Sequence, residues 1–231
     1  MKISVIIPVY NEAATCIELI NKVKSVPIDK EIIVVNDGSS DGTSELLSQV
    51  EGITLLSHTI NQGKGAAVQT AAGHIKGDIV ILQDGDLEYN PEDYHALVEP
   101  IQNEKADIVF GSRWLGKKNP WSFHYIGNKL ITLFSNIINQ RCINDMASCY
   151  KAIPADIFRS LELKSNGFGL EAEITAKVFR KGYSIKEIPI SYKRRTSAQG
   201  KKLRLKDGLV SAIACASATV FLTEKNCHPE L

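Results

Sequence analysis

The chain has no apolar run of the roughly 18 to 20 residues that a membrane-spanning helix needs. The nearest candidate, Gly208 to Leu222, is diluted by Ser211, Ser217 and Thr219. The N-terminal stretch Met1 to Pro8 carries too short an apolar run for a signal peptide. Paired cysteine is also missing. The five cysteines (Cys16, Cys142, Cys149, Cys215 and Cys227) are odd in number and contain no C-x-x-C spacing. That argues against a disulfide framework and against a zinc site, and fits a reducing cytoplasm. There is no excess of charge of one sign: the formal net charge is +1, so any electrostatic attraction has to be local. No internal repeat and no low-complexity linker interrupts the chain. These absences lead to the expectation of a cytoplasmic protein, soluble or peripheral at the inner face of the membrane.

What is present is ordinary globular composition, 44% hydrophobic and 23% charged over 231 residues, enough for one sizeable domain. Short β-branched runs alternate with longer helical patterns through the first half. Ile3 to Val9, Glu31 to Asn36, Ile53 to Ser57, Asp78 to Gln83 and Asp107 to Gly111 read as strands. Ala13, Cys16, Ile17, Ile20 and Val23 recur at helical spacing between the first two. Asn90-Pro91-Glu92-Asp93 reads as a helix start, with an N-cap, a proline at the first helical position and acids in the first turn. The alternation predicts a single Rossmann-like α/β domain with a mostly parallel sheet flanked by helices. After Ser112 the rhythm changes. A helical pattern spans Ile126 to Ile138, a short run Ser148 to Ile153, a helix Glu171 to Arg180 and a strand Ser184 to Tyr192. A last helix is expected from about Lys206 to Leu222.

In open parallel sheets a ligand lies beyond the carboxyl ends of the strands. Those ends read Pro8-Val9-Tyr10-Asn11-Glu12, Asn36-Asp37-Gly38-Ser39-Ser40-Asp41 and Asp84-Gly85-Asp86. Any one of them alone is also plain turn chemistry. Asp84-Gly85-Asp86 is the sharpest: an apolar strand delivers two carboxylates to one place, Gly85 lets the backbone turn, and Glu88 continues the parity. Hard oxygen ligands grouped this way suit Mg²⁺ or Mn²⁺, with a helix-capping acidic loop as the other reading. Gly63-Lys64-Gly65 opens a helix but lacks the spacing of a Walker A sequence. Close helix–strand packing is its expected role, with Lys64 a possible helper near the bound ligand.

These segments resemble a known family. SVIIPVYNE (from Ser4), VVNDGSSDGT (from Val34), NQGKGAA (from Asn61), LQDGDLEYNPEDY (from Leu82), GSRWLG (from Gly111), DMASCYKA (from Asp145), GFGLEAEITAK (from Gly167) and SYKRRTSAQGKKLRLKDG (from Ser191) are similar to the family-2 glycosyltransferases with the GT-A fold. The pattern resembles the branch that contains dolichyl-phosphate mannose synthase and the bacterial polyprenyl-phosphate glycosyltransferases. The resemblance implies that residues 1–112 form the nucleotide-sugar and metal-binding half of one domain and that 113–231 form the acceptor-binding half. It implies that Pro8, Tyr10 and Glu12 line the nucleoside pocket and that Asp37 contacts the base. It also implies that Asp84 and Asp86 bind metal, with Glu88 as a third ligand. Two positions depart from the pattern: Asn36 stands where many relatives carry Asp, and Ala147 where many carry Glu.

Lys193, Arg194, Arg195, Lys201, Lys202, Arg204 and Lys206 form a basic run that reads either as a solvated surface or as an acceptor loop. It lacks the interleaved aromatics of a nucleic-acid binder, and no nucleic-acid partner is expected. As acceptor-phosphate ligands it offers Arg195 and Lys201, with Arg113 just past a strand as another. Asp145 and Glu171, together with Asp86, are the acids expected at the reacting centre; an ordinary helix N-terminal charge is the other reading of Glu171. The expected activity is inverting transfer of a hexose from a GDP- or UDP-sugar to a polyprenyl or dolichyl phosphate. A hydroxyl acceptor, which would need a carboxylate base, and a silent nucleotide-sugar-binding protein are the alternatives. Nothing in the sequence sets the oligomeric state.

Overall fold

The computed structural model describes residues 1–115 and 123–195. Lys201 and the helix expected from Lys206 onward lie outside the described residues. The elements run β1 (Ile3–Val9), α1 (Cys16–Ser25), β2 (Lys30–Asp37), α2 (Thr43–Ser48), β3 (Thr54–His58), α3 (Lys64–Ala72) and β4 (Ile79–Leu82). A 3₁₀ turn (Pro91–Asp93) then leads into α4 (Tyr94–Gln102), β5 (Ile108–Ser112), α5 (Phe123–Asn139), β6 (Lys151–Pro154), α6 (Ala155–Ser160), α7 (Leu170–Arg180) and β7 (Ile185–Pro189).

The seven strands form one sheet in the order β3-β2-β1-β4-β6-β5-β7. β1 pairs in parallel with β2 and with β4, and β5 with β7. Among the described strands only β6 runs against its neighbours, antiparallel to β4 and to β5. The near-continuous Ile and Val of β1, β2 and β4 follow from this arrangement, because central strands covered on both faces have no polar side to present. Ile3, Ile6, Ile7, Ile33 and Ile79 are fully buried, each contributing roughly 1.5–3 kcal/mol relative to exposure. Helix α1 buries Cys16, Leu19, Ile20 and Val23, the one-sided stripe its spacing predicts. At the 3₁₀ turn the Asn90 side chain accepts the Glu92 N–H at 3.3 Å, and Pro91 needs no acceptor for its ring nitrogen.

Two features escape the periodicity. Helix α6 is only six residues long, too short for a helical repeat to register. The run from Ser148 becomes strand only at Lys151, because residues before it turn to close around a buried lysine. The feature that positions the site is the strand order itself. The chain leaves β1 toward β2 on one side, whereas β4 lies on the other. That reversal opens a crevice beyond the carboxyl ends of β1 and β4.

Candidate active site

The crevice is lined from the sheet upward by the residues that follow β1, β2 and β4. Gln83, one residue past β4, is fully buried. Its Oε1 accepts the hydroxyls of Tyr94 and Tyr150, both at 2.7 Å. Its Nε2 donates to the Asp84 carbonyl at 2.9 Å. A buried amide satisfied in this way rigidifies the backbone that carries it, so the turn at Asp84-Gly85-Asp86 starts from a pinned point. From the β1 side, the Thr15 hydroxyl lies 2.8 Å from Glu12 Oε2 and 3.0 Å from the Gly85 carbonyl. Its one proton serves either acceptor and ties the two strand ends together.

Asp84 and Asp86 have different partners. Lys64, opening α3, places Nζ 2.5 Å from Asp84 Oδ1 and 2.6 Å from Glu171 Oε1. Burial works against the ammonium, but Asp84 and Glu171 outweigh it and hold the Lys64 pKa well above the ordinary lysine value. Asp86 is desolvated and sits beside Asp84 and Glu88, which pushes its pKa up to about 7 although Arg195 pulls the other way. Arg195 reaches in from the segment after β7. Its Nη1 lies 2.9 Å from Glu12 Oε2, and its Nη2 lies 3.1 Å from Glu12 Oε1 and 2.9 Å from Asp86 Oδ2.

Glu88 uses its carboxylate to anchor that same segment. It accepts the Tyr192 hydroxyl at 2.6 Å and the Arg195 N–H at 2.8 Å, and its carbonyl accepts the Lys193 N–H. Among the described residues no three His, Cys, Asp or Glu side chains are grouped as metal ligands are, so Glu88 is not brought together with Asp84 and Asp86 in that way. The aspartate pair still fits a hard divalent ion, which commonly binds through one or two carboxylates and completes its shell with substrate phosphate and water. The guanidinium against Asp86 shows that positive charge is already accommodated there.

Asp37 is 2% exposed. Its carboxylate accepts the Gln62 and Gly63 N–H groups at 2.9 and 2.8 Å and contacts His58 Nδ1 at 2.7 Å. It therefore shapes the loop before α3. His58 is the partner that orients it. The glycines of that loop serve close packing: at Gly65 a Cβ would overlap the Ser165 carbonyl oxygen, and Gly63 has φ +99°. Tyr10 is 37% exposed beyond the end of β1, with Pro8 inside that strand.

On the other side, Asp145 is fully buried. Both its oxygens meet Arg113 side-chain nitrogens at 2.8 Å, and Oδ2 also accepts the Arg113 N–H. Glu187 accepts the Asn144 and Asp145 N–H groups at 2.7 and 3.0 Å, which orients the turn. The buried Lys151 ammonium donates to the Met146 and Ser148 carbonyls and lies 4.6 Å from the Phe110 ring centroid. The Arg113 guanidinium also lies over the Trp114 and Tyr192 rings, 5.3 and 5.2 Å from their centroids. Lys64 thus joins Asp84 and Glu171 by direct contacts, and Arg195 joins Glu12 and Asp86, while Asp37 and the Arg113–Asp145 pair each belong to a supporting cluster. Gln83, Thr15, His58, Tyr192 and Lys151 were not singled out as site residues. A polar Gln ending an all-apolar strand was the one visible signal.

Residues 4–160 match the family model described as glycosyl transferase family 2. The chain belongs to that family. The chain is 30% identical over 214 residues to a dolichol-phosphate mannosyltransferase of Pyrococcus furiosus, covering 87% of this chain and 59% of that protein. It therefore spans about three-fifths of that relative's length. It is 28% identical over 219 residues to an undecaprenyl-phosphate mannosyltransferase of Micrococcus luteus, covering 87% of each. In structure it is similar to glucosyl-3-phosphoglycerate synthase of Mycobacterium tuberculosis, solved with Mn²⁺, uridine diphosphate and phosphoglyceric acid. The TM-score is 0.74 at 20% identity, over 99% of this chain and 80% of that one. At that identity the likeness establishes the shared GT-A fold.

Proposed function

We propose that this glycosyltransferase moves a hexose from a nucleoside diphosphate sugar to a polyprenyl phosphate, inverting the anomeric centre. The observation that carries the reading is Arg195 in contact with Glu12 and Asp86. That contact puts the start of the basic run directly over the donor-side carboxylates, where an acceptor phosphate has to meet the sugar. The names of the Pyrococcus and Micrococcus relatives point the same way.

In the proposed reaction Pro8, Tyr10 and Glu12 line the nucleoside side and Asp84 and Asp86 hold Mg²⁺ or Mn²⁺. The ion, when bound, neutralises negative charge on the departing diphosphate. An oxygen of the acceptor phosphate forms a bond to the anomeric carbon as the bond to the donor β-phosphate breaks, and the nucleoside diphosphate leaves as an anion. A phosphate is already ionised at neutral pH and needs no base. The arrangement of acids on the acceptor side suits this, since Asp145 is held by Arg113 and Glu171 by Lys64. Lys64 keeps Asp84 and Glu171 together, and Arg195, Arg113 and Lys201 supply positive charge for phosphate.

A lipid-linked acceptor needs access from a membrane. No helix among the described residues is long and apolar enough to cross one. Helix α5, however, buries Thr132 and Ser135 while Ile126, Leu130, Leu133, Phe134 and Ile137 are 40–67% exposed. An apolar stripe facing outward on a helix supports peripheral contact with a bilayer surface, at the cytoplasmic face.

The test is release of nucleoside diphosphate from a panel of GDP- and UDP-sugars, with Mn²⁺ or Mg²⁺, with and without undecaprenyl phosphate, beside Asp86→Ala. Release stimulated by the lipid and lost in the variant is expected. Metal-dependent release indifferent to the lipid would move the acceptor to a hydroxyl.

A further inference from the structure

The chain after β7 runs back along the loop between β4 and α4. Ser191 donates its N–H to Asp93 Oδ2 at 2.7 Å, Tyr192 pairs antiparallel with Tyr89, and the Glu88 carbonyl accepts the Lys193 N–H. The Glu88 carboxylate closes this strap, with Oε2 accepting the Tyr192 hydroxyl at 2.6 Å and Oε1 the Arg195 N–H at 2.8 Å. We propose that Glu88 is a positioning residue for the acceptor rather than a metal ligand: with Tyr192 it forms a clasp that fixes Arg195 and Arg113 where an incoming phosphate binds.

The clasp stands on a pinned base. The Tyr192 ring centroid lies 5.3 Å from that of Tyr89, which lies 4.7 Å from that of Tyr150. The Tyr150 hydroxyl donates to Gln83, and the Tyr89 hydroxyl accepts the Cys149 N–H at 3.1 Å. Tyr192 is therefore held by ring packing along its face and by Glu88 at its tip. A ring packed and hydrogen-bonded in this way has little freedom left.

Two guanidinium groups take their places from it. Arg195 has its backbone N–H bound to Glu88 while its side chain reaches Glu12 and Asp86. Arg113, paired with Asp145, lies over the Tyr192 ring, 5.2 Å from its centroid. A mobile arginine loses rotamer freedom when it takes a phosphate, and one held beforehand loses less. Holding both beforehand moves that cost from acceptor binding into folding. Loosening the clasp therefore weakens acceptor capture more than the chemical step.

Metal ligation by Glu88 would undo this arrangement. A carboxylate turned to a divalent ion would release the Tyr192 hydroxyl or the Arg195 N–H, and hydrogen bonds to a charged group are the costly ones to lose. Asp84 and Asp86 suffice without it, since such an ion commonly takes one or two carboxylates and completes its shell with phosphate and water. Glu88 meets Asp86 through its main chain, donating its N–H to Oδ1 at 3.1 Å. One residue thus steadies the turn of the aspartate pair with its backbone and the acceptor segment with its side chain.

The inference rests on the polyprenyl phosphate reading above, and its test separates the two. Wild type, Tyr192→Phe, Glu88→Ala, Glu88→Gln and the double variant Tyr192→Phe with Glu88→Ala are checked for folding by circular dichroism. Each is assayed across concentrations of undecaprenyl phosphate at saturating Mn²⁺, with the nucleotide sugar that wild type turns over fastest. Tyr192→Phe is expected to raise the KM for the lipid about 10-fold, with a smaller change in kcat, and Glu88→Ala to raise it further. Glu88→Gln, whose amide oxygen still accepts one of the two donors, should lie nearer wild type. The double variant should be no worse than Glu88→Ala, because the two side chains act as one unit. Mn²⁺ binding, read from the electron paramagnetic resonance signal of free Mn²⁺, should stay far closer to wild type in Glu88→Gln than in Asp86→Ala. An unchanged lipid KM in Tyr192→Phe and Glu88→Ala, or Mn²⁺ binding lost in Glu88→Gln as fully as in Asp86→Ala, would overturn the clasp. Wild type indifferent to the lipid would instead sink the polyprenyl phosphate reading, and the clasp's acceptor role with it.

Discussion

The Lys64 ammonium lies between Asp84, at 2.5 Å, and Glu171, at 2.6 Å. One side chain therefore joins the turn after β4 to the first turn of α7, elements far apart in sequence. Replacing it with Met leaves two partly buried carboxylates facing one another. Lys64→Met should lower stability by about 2–3 kcal/mol in urea unfolding, with Lys64→Arg recovering part of it. A loss under about 0.5 kcal/mol would mean the two acids are individually solvated.

Asp86 contacts Arg195 and lies beside Asp84. Asp86→Ala should reduce turnover by at least about 100-fold. It should also remove the strengthening of nucleoside diphosphate binding by Mn²⁺, read by calorimetry. Retained metal-linked binding would exclude Asp86 as a ligand.

Tyr150 and Tyr94 both donate to Gln83 Oε1. Tyr150→Phe leaves that oxygen one donor, so the expected cost is about 1 kcal/mol, measured as a shift of the urea midpoint at constant slope. Gln83→Leu, which strands two buried hydroxyls, should cost more than Tyr150→Phe.

Lys151 is fully buried and its pKa is lowered by desolvation to about 8. In the unfolded chain the same group titrates near 10.4. Between those values the unfolded state holds more protons, so stability rises with pH. Wild type should therefore gain stability relative to Lys151→Met between about pH 8 and 10, by at most about 3 kcal/mol. Parallel pH profiles for the two proteins would contradict a buried, depressed ammonium.

Leu130 and Leu133 on α5 are 61% and 55% exposed. Leu130→Glu with Leu133→Glu should change stability by no more than about 1 kcal/mol in all. Sedimentation with anionic vesicles should nevertheless be lost. Unchanged sedimentation would remove the bilayer as the surface that α5 meets.

Local chemistry made much of this protein legible. β-branched runs name the central strands because buried parallel strands have no polar face. Asp84-Gly85-Asp86 stands out because two carboxylates after an apolar strand have few structural uses. The motif segments identify the family because they keep their order across nearly the whole chain. The sequence does not reveal partners across long separations. Arg195 and Glu12 are 183 residues apart, and no periodicity connects them. Only the folded sheet, by reversing its order at β1 and β4, brings the basic segment after β7 onto the acids of the first half. The same holds for Asp37, whose turn composition suggests a ligand while its burial commits the carboxylate to a loop. Residue types and their order along the chain thus determined the family and the acidic strand ends. Tertiary packing decided which charges neutralise which, because ion pairing depends on distances that only the fold creates.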